Sequence, residues 1–491
     1  MTSPIAAATI ENALLRSGEL RSSGSMPVSF TDITDDSRRV TRGALFVAIR
    51  GGTYNGHDYV AAAAAAGATA VIVDDASYSG LPSFVVTDTR RAAGIAARAA
   101  FGEPAGQLTM VGVTGTNGKT TTVGLLRHLL HEPGAAAASI GTLGVLRGSA
   151  GDVVPGGSGL TTPGAIELQR VLRELVDTGV RRVAMEVSSH SLDQRRVEGV
   201  VFQSAVFTNV TRDHLDYHQT MEAYVAAKAM LLDYVAADGV EVVNADDRAW
   251  DVLPATRQRV RFSIEAPADV TATNIRSTPR GSEWTLSAGG ERATVALPLL
   301  GGFNVANALA AAAAAWSLGH KIQDVADRLS NAPQVPGRLE RLLDRPAVLR
   351  DYAHTPDALD RALDAIRPFV AGRLIVVFGC GGDRDRGKRP QMGAIAEAKA
   401  DQVIITSDNP RTEDPERILD DIEHGMRHRN HERLEDRRAA IARALALAAP
   451  DDVVLLAGKG HETYQIRGTK TLPFDEQVIV RELAAQPAGQ P

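Results

Sequence analysis

The chain has 491 residues, with 53 Lys+Arg against 59 Asp+Glu and a net charge of −6. This length argues against a single domain, and the charge leaves no broad basic field for nucleic acid. Cys380 is the single cysteine and the start of the chain has no basic residue ahead of an apolar core, so neither a disulfide scaffold nor a secretory signal is expected and a cytoplasmic location is.

Three blocks of β-branched runs alternating with helical stretches predict an α/β fold with parallel sheets under helices. Block one, residues 1–104, reads as strands at 45–49, 70–73 and 84–86, a helix at 58–66 and another ending near Ala100. Gly102, Pro104 and Gly106 then mark a linker. Block two, 105–336, opens with an apolar strand at 108–113, a Gly-rich turn and a helix from Lys119. Further strands are expected at 183–187 and 205–208, with helices over 221–236 and after Asn304. Pro333, Pro336 and Gly337 close it. Block three, 337–491, shows strands at 374–378, 402–406 and 453–456. The alanine runs at 61–66 and 310–315 are too short to span a bilayer and read as close-packed helices, so no membrane partner is expected.

Between strand and helix in block two stands Thr114-Gly115-Thr116-Asn117-Gly118-Lys119-Thr120-Thr121. Glycines let backbone N–H groups close on phosphate oxygens, the helix N-terminus adds positive potential, Lys119 can neutralise β/γ charge and Thr120 can hold Mg²⁺. It is a variant loop, because Val113 occupies the position where the general pattern has its first glycine. Gly382 and Gly387-Lys388 match that pattern's spacing better, but Arg389 follows where a hydroxyl is required. Gly379-Cys380-Gly381 lacks the third glycine of a dinucleotide site, since Arg384 stands there.

Glu186 ends an apolar strand, and Asp213-His214-Leu215-Asp216-Tyr217-His218 follows another. Each suits metal or acid–base work; for Glu186 a structural ion pair, and for the histidines a solvated turn, stand beside that reading. Lys228 falls on the apolar stripe Met221, Tyr224, Val225, Leu231, Leu232 and Val235. Burial lowers an ammonium's pKa, and a neutral amine can take up CO₂ as a carbamate that binds a second Mg²⁺. The alternative is a lysine whose head snorkels to water.

Together these features resemble the Mur ligase family, whose members join amino acids to the peptidoglycan precursor using ATP. Gly302-Phe303-Asn304-Val305-x-Asn307 is similar to the family's adenine-side segment, and Pro336-Gly337-Arg338 with Asp351-Tyr352-Ala353-His354 to its ribose and phosphate contacts. Asp36-Ser37-Arg38, Gly56-His57 and Thr161-Thr162-Pro163 resemble the MurE type. Asp408-Asn409-Pro410-Arg411 and Gly458-Lys459-Gly460-His461-Glu462 resemble the motifs of members that add meso-diaminopimelate.

The resemblance implies a central P-loop ATPase domain between an N-terminal uridine-binding domain and a C-terminal Rossmann-like domain. It implies ATP on Gly115, Thr116, Asn117, Gly118, Lys119, Thr120, Thr121, Asn304, Arg338 and Asp351. Two Mg²⁺ ions would be held through Thr120, Glu186, His214 and carbamylated Lys228, and Lys119, Glu186, His214 and Lys228 would form the catalytic set. UDP-N-acetylmuramoyl-L-alanyl-D-glutamate is expected on Ser37, Thr161, Thr162, Ser188, Gln194 and Arg196, with Leu160 departing from the asparagine common in relatives. Meso-diaminopimelate is expected on Arg384, Asp408, Asn409, Pro410, Arg411, Gly458 and Glu462, where a guanidinium can grip its distal carboxylate in a planar fork. A monomer is expected, with domain closure bringing Arg338 and Asp351 onto the nucleotide. The rivals are a lysine-adding or folylpolyglutamate-type ligase and, from another class, a non-ligating P-loop regulator.

Overall fold

The computed structural model describes residues 4–51, 54–78, 80–155, 159–254, 256–428 and 431–485. Contacts divide the chain into two compact units: one runs to Thr273 and includes Thr285–Ala293 and Ala306–Leu329, while the other holds Asn274–Trp284, Thr294–Val305 and the chain from Ser330.

The first unit begins with a five-stranded sheet in the order Leu20–Ser23, Ser83–Val86, Ala70–Val73, Leu45–Val47 and Ile33–Thr34. Its pairs are parallel except the first. The run at 61–66 is helical as expected, within Val60–Ala66, and ends at Gly67 with φ 109°, a left-handed stop that glycine reaches without a Cβ clash. The helix Thr89–Ala100 starts on Asp88, whose carboxylate accepts from the N–H groups of Arg90 and Arg91.

In the same unit the second sheet runs Asp152–Val154, Gly144–Arg147, Ala136–Gly141, Val180–Glu186, Thr109–Thr114, Phe202–Phe207, Val235–Asn244 and Gln258–Ser263, with Val270 and Thr271 beside the last. Thr109–Thr114 lies in the middle, parallel to both neighbours, with Val113 opposite Glu186 and Thr114 opposite Phe207. The phosphate loop, the end of the Glu186 strand and the segment after Phe207 therefore leave the sheet at one edge, where open α/β sheets place ligands.

One expectation changes here. The helix expected over 221–236 stops at Ala229, passes through a 3-10 turn at Met230–Tyr234 and becomes the strand Val235–Asn244. The apolar spacing survives because a 3-10 turn keeps a period near three, while Val235, Val240, Val242 and Val243 suit a strand. The strand Ala136–Gly141, poor in β-formers, is created by burial in the sheet rather than by propensity.

The second unit carries a six-stranded sheet, in the order Glu340–Asp344, Ala347–Asp351, Val453–Ala457, Leu374–Phe378, Gln402–Ile405 and His431–Arg433. All pairs but the first are parallel. Leu374, Val376 and Phe378 enter one apolar cluster and Ile375 and Val377 the other, so both faces are covered and the strands read as unbroken apolar runs.

A fully buried ion pair braces this unit. Arg437 Nε donates to Glu476 Oε1 at 2.8 Å and Nη2 to the Ala457 carbonyl at 2.9 Å, with neither side chain exposed. Removing one partner strands a buried charge, so Arg437→Ala is expected to cost about 3–5 kcal/mol, read as a lower Tm. The paired change Arg437→Met with Glu476→Leu should recover much of that loss; a single variant melting with the wild type would contradict the assignment. Among the described residues no helix is long and apolar enough to cross a membrane.

Candidate active site

The loop after Thr109–Thr114 is fixed by the segment after Phe207. Thr116 N donates to Asn209 O at 2.6 Å, Asn117 N to Asn209 Oδ1 at 3.1 Å, and Thr208 Oγ1 to Asn117 O at 2.8 Å. Thr116 Oγ1 lies 3.1 Å from Tyr224 Oη and donates to Thr211 O at 3.2 Å. Gly115 and Gly118 have φ of 144° and 86°, and a Cβ there would fall 1.9 Å from Thr208 Oγ1 and 2.1 Å from Asn307 Oδ1, so larger residues would break the loop. Lys119 opens the helix Lys119–Leu130 and its Nζ donates to the carbonyls of Gly115 and Thr116 at 2.9 and 2.8 Å. Thr120 and Thr121 are buried in the first turn.

Lys228, 1% exposed, donates from Nζ to that same Gly115 carbonyl at 2.8 Å and stands 4.3 Å from the centre of the Tyr224 ring. Two lysine heads thus share one acceptor. Burial first, then the Lys119 charge, pushes the Lys228 amine well below its ordinary range, with Asp213 opposing. The snorkelling alternative is excluded by this burial.

Glu186 is 2% exposed; its Oε1 accepts from Thr142 N at 2.8 Å and its Oε2 from Thr142 Oγ1 at 3.1 Å. Thr142 Oγ1 lies 3.2 Å from Thr161 Oγ1, and Thr162 Oγ1 donates to the Glu186 carbonyl at 2.9 Å. Arg196 donates to Gln194 Oε1 at 2.7 Å and to the Thr162 carbonyl at 3.1 Å, while Ser188 N donates to Thr162 Oγ1 at 3.3 Å. Thr161, Thr162, Ser188, Gln194 and Arg196 are thereby linked around Glu186. Ser37 begins the 3-10 turn Ser37–Arg39 of the first sheet and shares none of these bonds, and Leu160 is 45% exposed.

His214 has φ 53° and packs edge-on against His190, ring centres 4.8 Å apart. His190 also meets Tyr217 and His218. Burial, then the neighbouring His214, His218 and Arg196, push its imidazole down to about 4, so it is neutral near pH 7. No group of three or more His, Cys, Asp or Glu side chains that could hold a metal occurs among the described residues. Mg²⁺ often relies on one or two carboxylates, waters and substrate phosphates, and the Thr120 hydroxyl and Glu186 carboxylate suit that pattern. Lys228 suits it only as a carbamate, since its ammonium repels a cation.

In the second unit, the residues expected to hold an amino acid gather at the carboxyl ends of three adjacent parallel strands, Val453–Ala457, Leu374–Phe378 and Gln402–Ile405. Asn409 Nδ2 donates to Glu462 Oε2 at 2.9 Å, and Gln465 Nε2 to the Asp408 carbonyl at 2.8 Å. Arg411, with φ 51°, donates from Nη1 to the Gly382 carbonyl at 2.8 Å, and both Arg411 and Arg384 flank Gly381. A Cβ on Gly458 would lie 2.6 Å from Asp408 Oδ2, and Pro410 is buried. Arg389, which spoiled the second glycine loop, is a buried brace donating to Glu413 at 2.9 Å and Asp421 at 2.8 Å.

Asp351 accepts from Leu339 N at 2.7 Å and Ala353 N at 2.8 Å; burial raises its carboxyl, against the pull of Arg338. Arg338 stacks on Tyr352 at 5.0 Å, and Asn304 donates to the Leu300 carbonyl at 2.8 Å. Sequence reasoning missed Thr142, Asn209, Thr211, His190 and the role of Tyr224. Only His190, four residues after Glu186, and Tyr224, on the apolar stripe, offered a signal.

A variant phosphate loop at the carboxyl edge of a parallel sheet, with a cluster of polar and charged side chains at the carboxyl edge of the sheet in a second α/β unit, defines the class of nucleotide-dependent α/β enzymes. The chain belongs to the Mur ligase family. Its residues 29–104 match "Mur ligase family, catalytic domain", 113–315 "Mur ligase middle domain" and 337–460 "Mur ligase, glutamate ligase domain". It is 44% identical over 479 residues, 94% of this chain and 95% of the relative, to UDP-N-acetylmuramoyl-L-alanyl-D-glutamate--2,6-diaminopimelate ligase of Synechococcus elongatus. The similarly named ligase of Bacillus cereus is 40% identical, covering 92% and 93%. A solved structure of a ligase with that name shares 36% identity and a TM-score of 0.67, covering 93% and 94%. MurF from Acinetobacter baumannii shares the fold at 21% identity, TM-score 0.68, covering 99% of each chain.

Proposed function

We propose that the protein is an ATP-dependent ligase that adds meso-diaminopimelate to UDP-N-acetylmuramoyl-L-alanyl-D-glutamate, acting in the cytoplasm as a single chain. The domains are read as 1–104 for the UDP-sugar, 105–336 for ATP and 337–491 for the incoming amino acid. The observation that carries the amino-acid choice is the convergence of Asp408, Asn409, Arg411 and Glu462 at one sheet edge, supported by the names of the relatives.

In this reading the γ-carboxylate of D-glutamate attacks the γ-phosphate, the bond to the β-phosphate breaks and ADP leaves. The diaminopimelate amine then attacks the acyl carbon, phosphate departs with the acyl C–O bond and the amine loses a proton. Gly115, Thr116, Asn117, Gly118, Lys119, Thr120 and Thr121 hold the phosphates, with Asn304, Arg338 and Asp351 on the rest of the nucleotide. Thr161, Thr162, Ser188, Gln194, Arg196 and Ser37 hold the UDP substrate. Mg²⁺, held by Thr120, Glu186, His214 and carbamylated Lys228, would screen the converging anionic groups.

Arg411 and Arg384 face the distal carboxylate of diaminopimelate, while Asp408 and Glu462 receive the adjacent ammonium. A charge-assisted contact of ~1.5–3 kcal/mol predicts that Arg411→Ala lowers kcat/KM for meso-diaminopimelate roughly ten- to a hundredfold. KM for ATP and the UDP-dipeptide should stay near wild type. Amino-acid-dependent ADP release across a panel including L-lysine tests the reading: wild type should respond to meso-diaminopimelate, and an equal response to L-lysine would favour the lysine-adding alternative.

A further inference from the structure

Lys459 has no exposed surface, although it carries a charge and lies in a turn after the strand Val453–Ala457. A buried ammonium must be compensated by close acceptors. Its Nζ lies 3.2 Å from Asn409 Oδ1, 3.2 Å from Glu462 Oε2 and 3.9 Å from Asp408 Oδ1. The rings of Tyr464 and Phe474 are 5.8 and 5.9 Å away. All three polar partners belong to the proposed amino-acid pocket, and Lys459 itself stands behind them.

The network fixes orientations. Asn409 Oδ1 accepts from both Lys459 Nζ and Ile466 N, the latter at 2.9 Å, so the amide cannot flip without placing its NH₂ against two donors. Asn409 Nδ2 is then committed to Glu462 Oε2 at 2.9 Å, the same oxygen that Lys459 reaches. Two donors on one carboxylate oxygen hold Glu462 in a single rotamer and leave Oε1 as its remaining acceptor. In charge terms, one ammonium against Asp408 and Glu462 leaves one net negative charge, matching one incoming ammonium.

We infer that Lys459 is a positioning residue for amino-acid selection: it locks the Asn409 amide and the Glu462 carboxylate in the arrangement that receives the distal ammonium of a diamino-dicarboxylic acid. This deepens the ligase reading and rests on it. The role is distinct from that of Arg411, which is placed against the carboxylate.

The test is steady-state ADP release by the full-length protein, varying each substrate in turn, for wild type, Lys459→Met, Lys459→Gln, Glu462→Gln and the double variant Lys459→Met with Glu462→Gln. Lys459→Met should raise KM for meso-diaminopimelate roughly tenfold or more, with kcat falling less and KM for ATP and the UDP-dipeptide within about twofold. Lys459→Gln, which keeps a donor without the charge, should fall between. Because Lys459 acts through Glu462, the double variant should be no worse than the poorer single. Multiplying effects, an unchanged diaminopimelate KM, or equal loss toward all three substrates would overturn the proposal, as would failure of both Lys459 variants to fold by circular dichroism. If wild type itself shows no diaminopimelate-dependent ADP release, the ligase reading fails first, independently of Lys459.

Discussion

Lys119→Ala is expected to lower ATP-dependent ligation by roughly a thousandfold or more, since even one lost preorganised donor costs on the order of 10²–10³ in kcat and this one also carries full charge. The loop should survive the change. Its shape is set by Asn209, Thr208 and Thr211 bonding to Thr116 and Asn117, and by the close approach of Gly115 and Gly118 to their neighbours. The lysine head bridges the carbonyls of Gly115 and Thr116, and the bonds that shape the loop come from the segment after Phe207. Thermal unfolding should therefore stay within a few degrees of wild type while ADP release nearly vanishes. Near-wild-type turnover would remove the phosphate loop from the reaction, whichever amino acid is used.

Much of this arrangement was legible because it depends on local pattern. The strand, glycine loop and Lys119 helix follow from an apolar run, two glycines and a helix start, and the structure places the helix at Lys119–Leu130. The unbroken apolar strands of the second unit were equally plain, since burial on both faces removes alternation. What stayed hidden depends on long-range pairing. Thr142 anchors Glu186 from the turn that follows an alanine-rich strand, and nothing in its neighbourhood announces a partner 44 residues away. The switch from the Lys228 helix to a strand at Val235 was masked because a 3-10 turn carries the helical spacing forward. Lys459 was visible in a motif, but its inward direction follows from packing against Asn409, 50 residues earlier.

Lys228→Ala is expected to be nearly inactive yet partly restored by short carboxylic acids such as acetate or propionate. The physical reason begins with the shared carbonyl: Lys119 and Lys228 donate to Gly115 O at 2.9 and 2.8 Å, so two full positive charges would repel across one oxygen. Burial and that neighbouring charge both favour the neutral amine. A neutral amine adds CO₂ through a new N–C bond and releases one proton, which converts a neutral side chain into an anionic one beside the phosphate loop. Truncation to alanine removes the anion but leaves the space, and a small carboxylate can enter it. Lys228→Arg should remain inactive with or without added acid, because guanidinium stays charged and fills the space. Rescue should rise with acid concentration and saturate, whereas salt of the same ionic strength should do nothing. Full activity of wild type from which CO₂ and bicarbonate have been stripped, with a free amine at Lys228 by intact-protein mass, would decide against the carbamate and leave the lysine as a buried hydrogen-bond donor to Gly115.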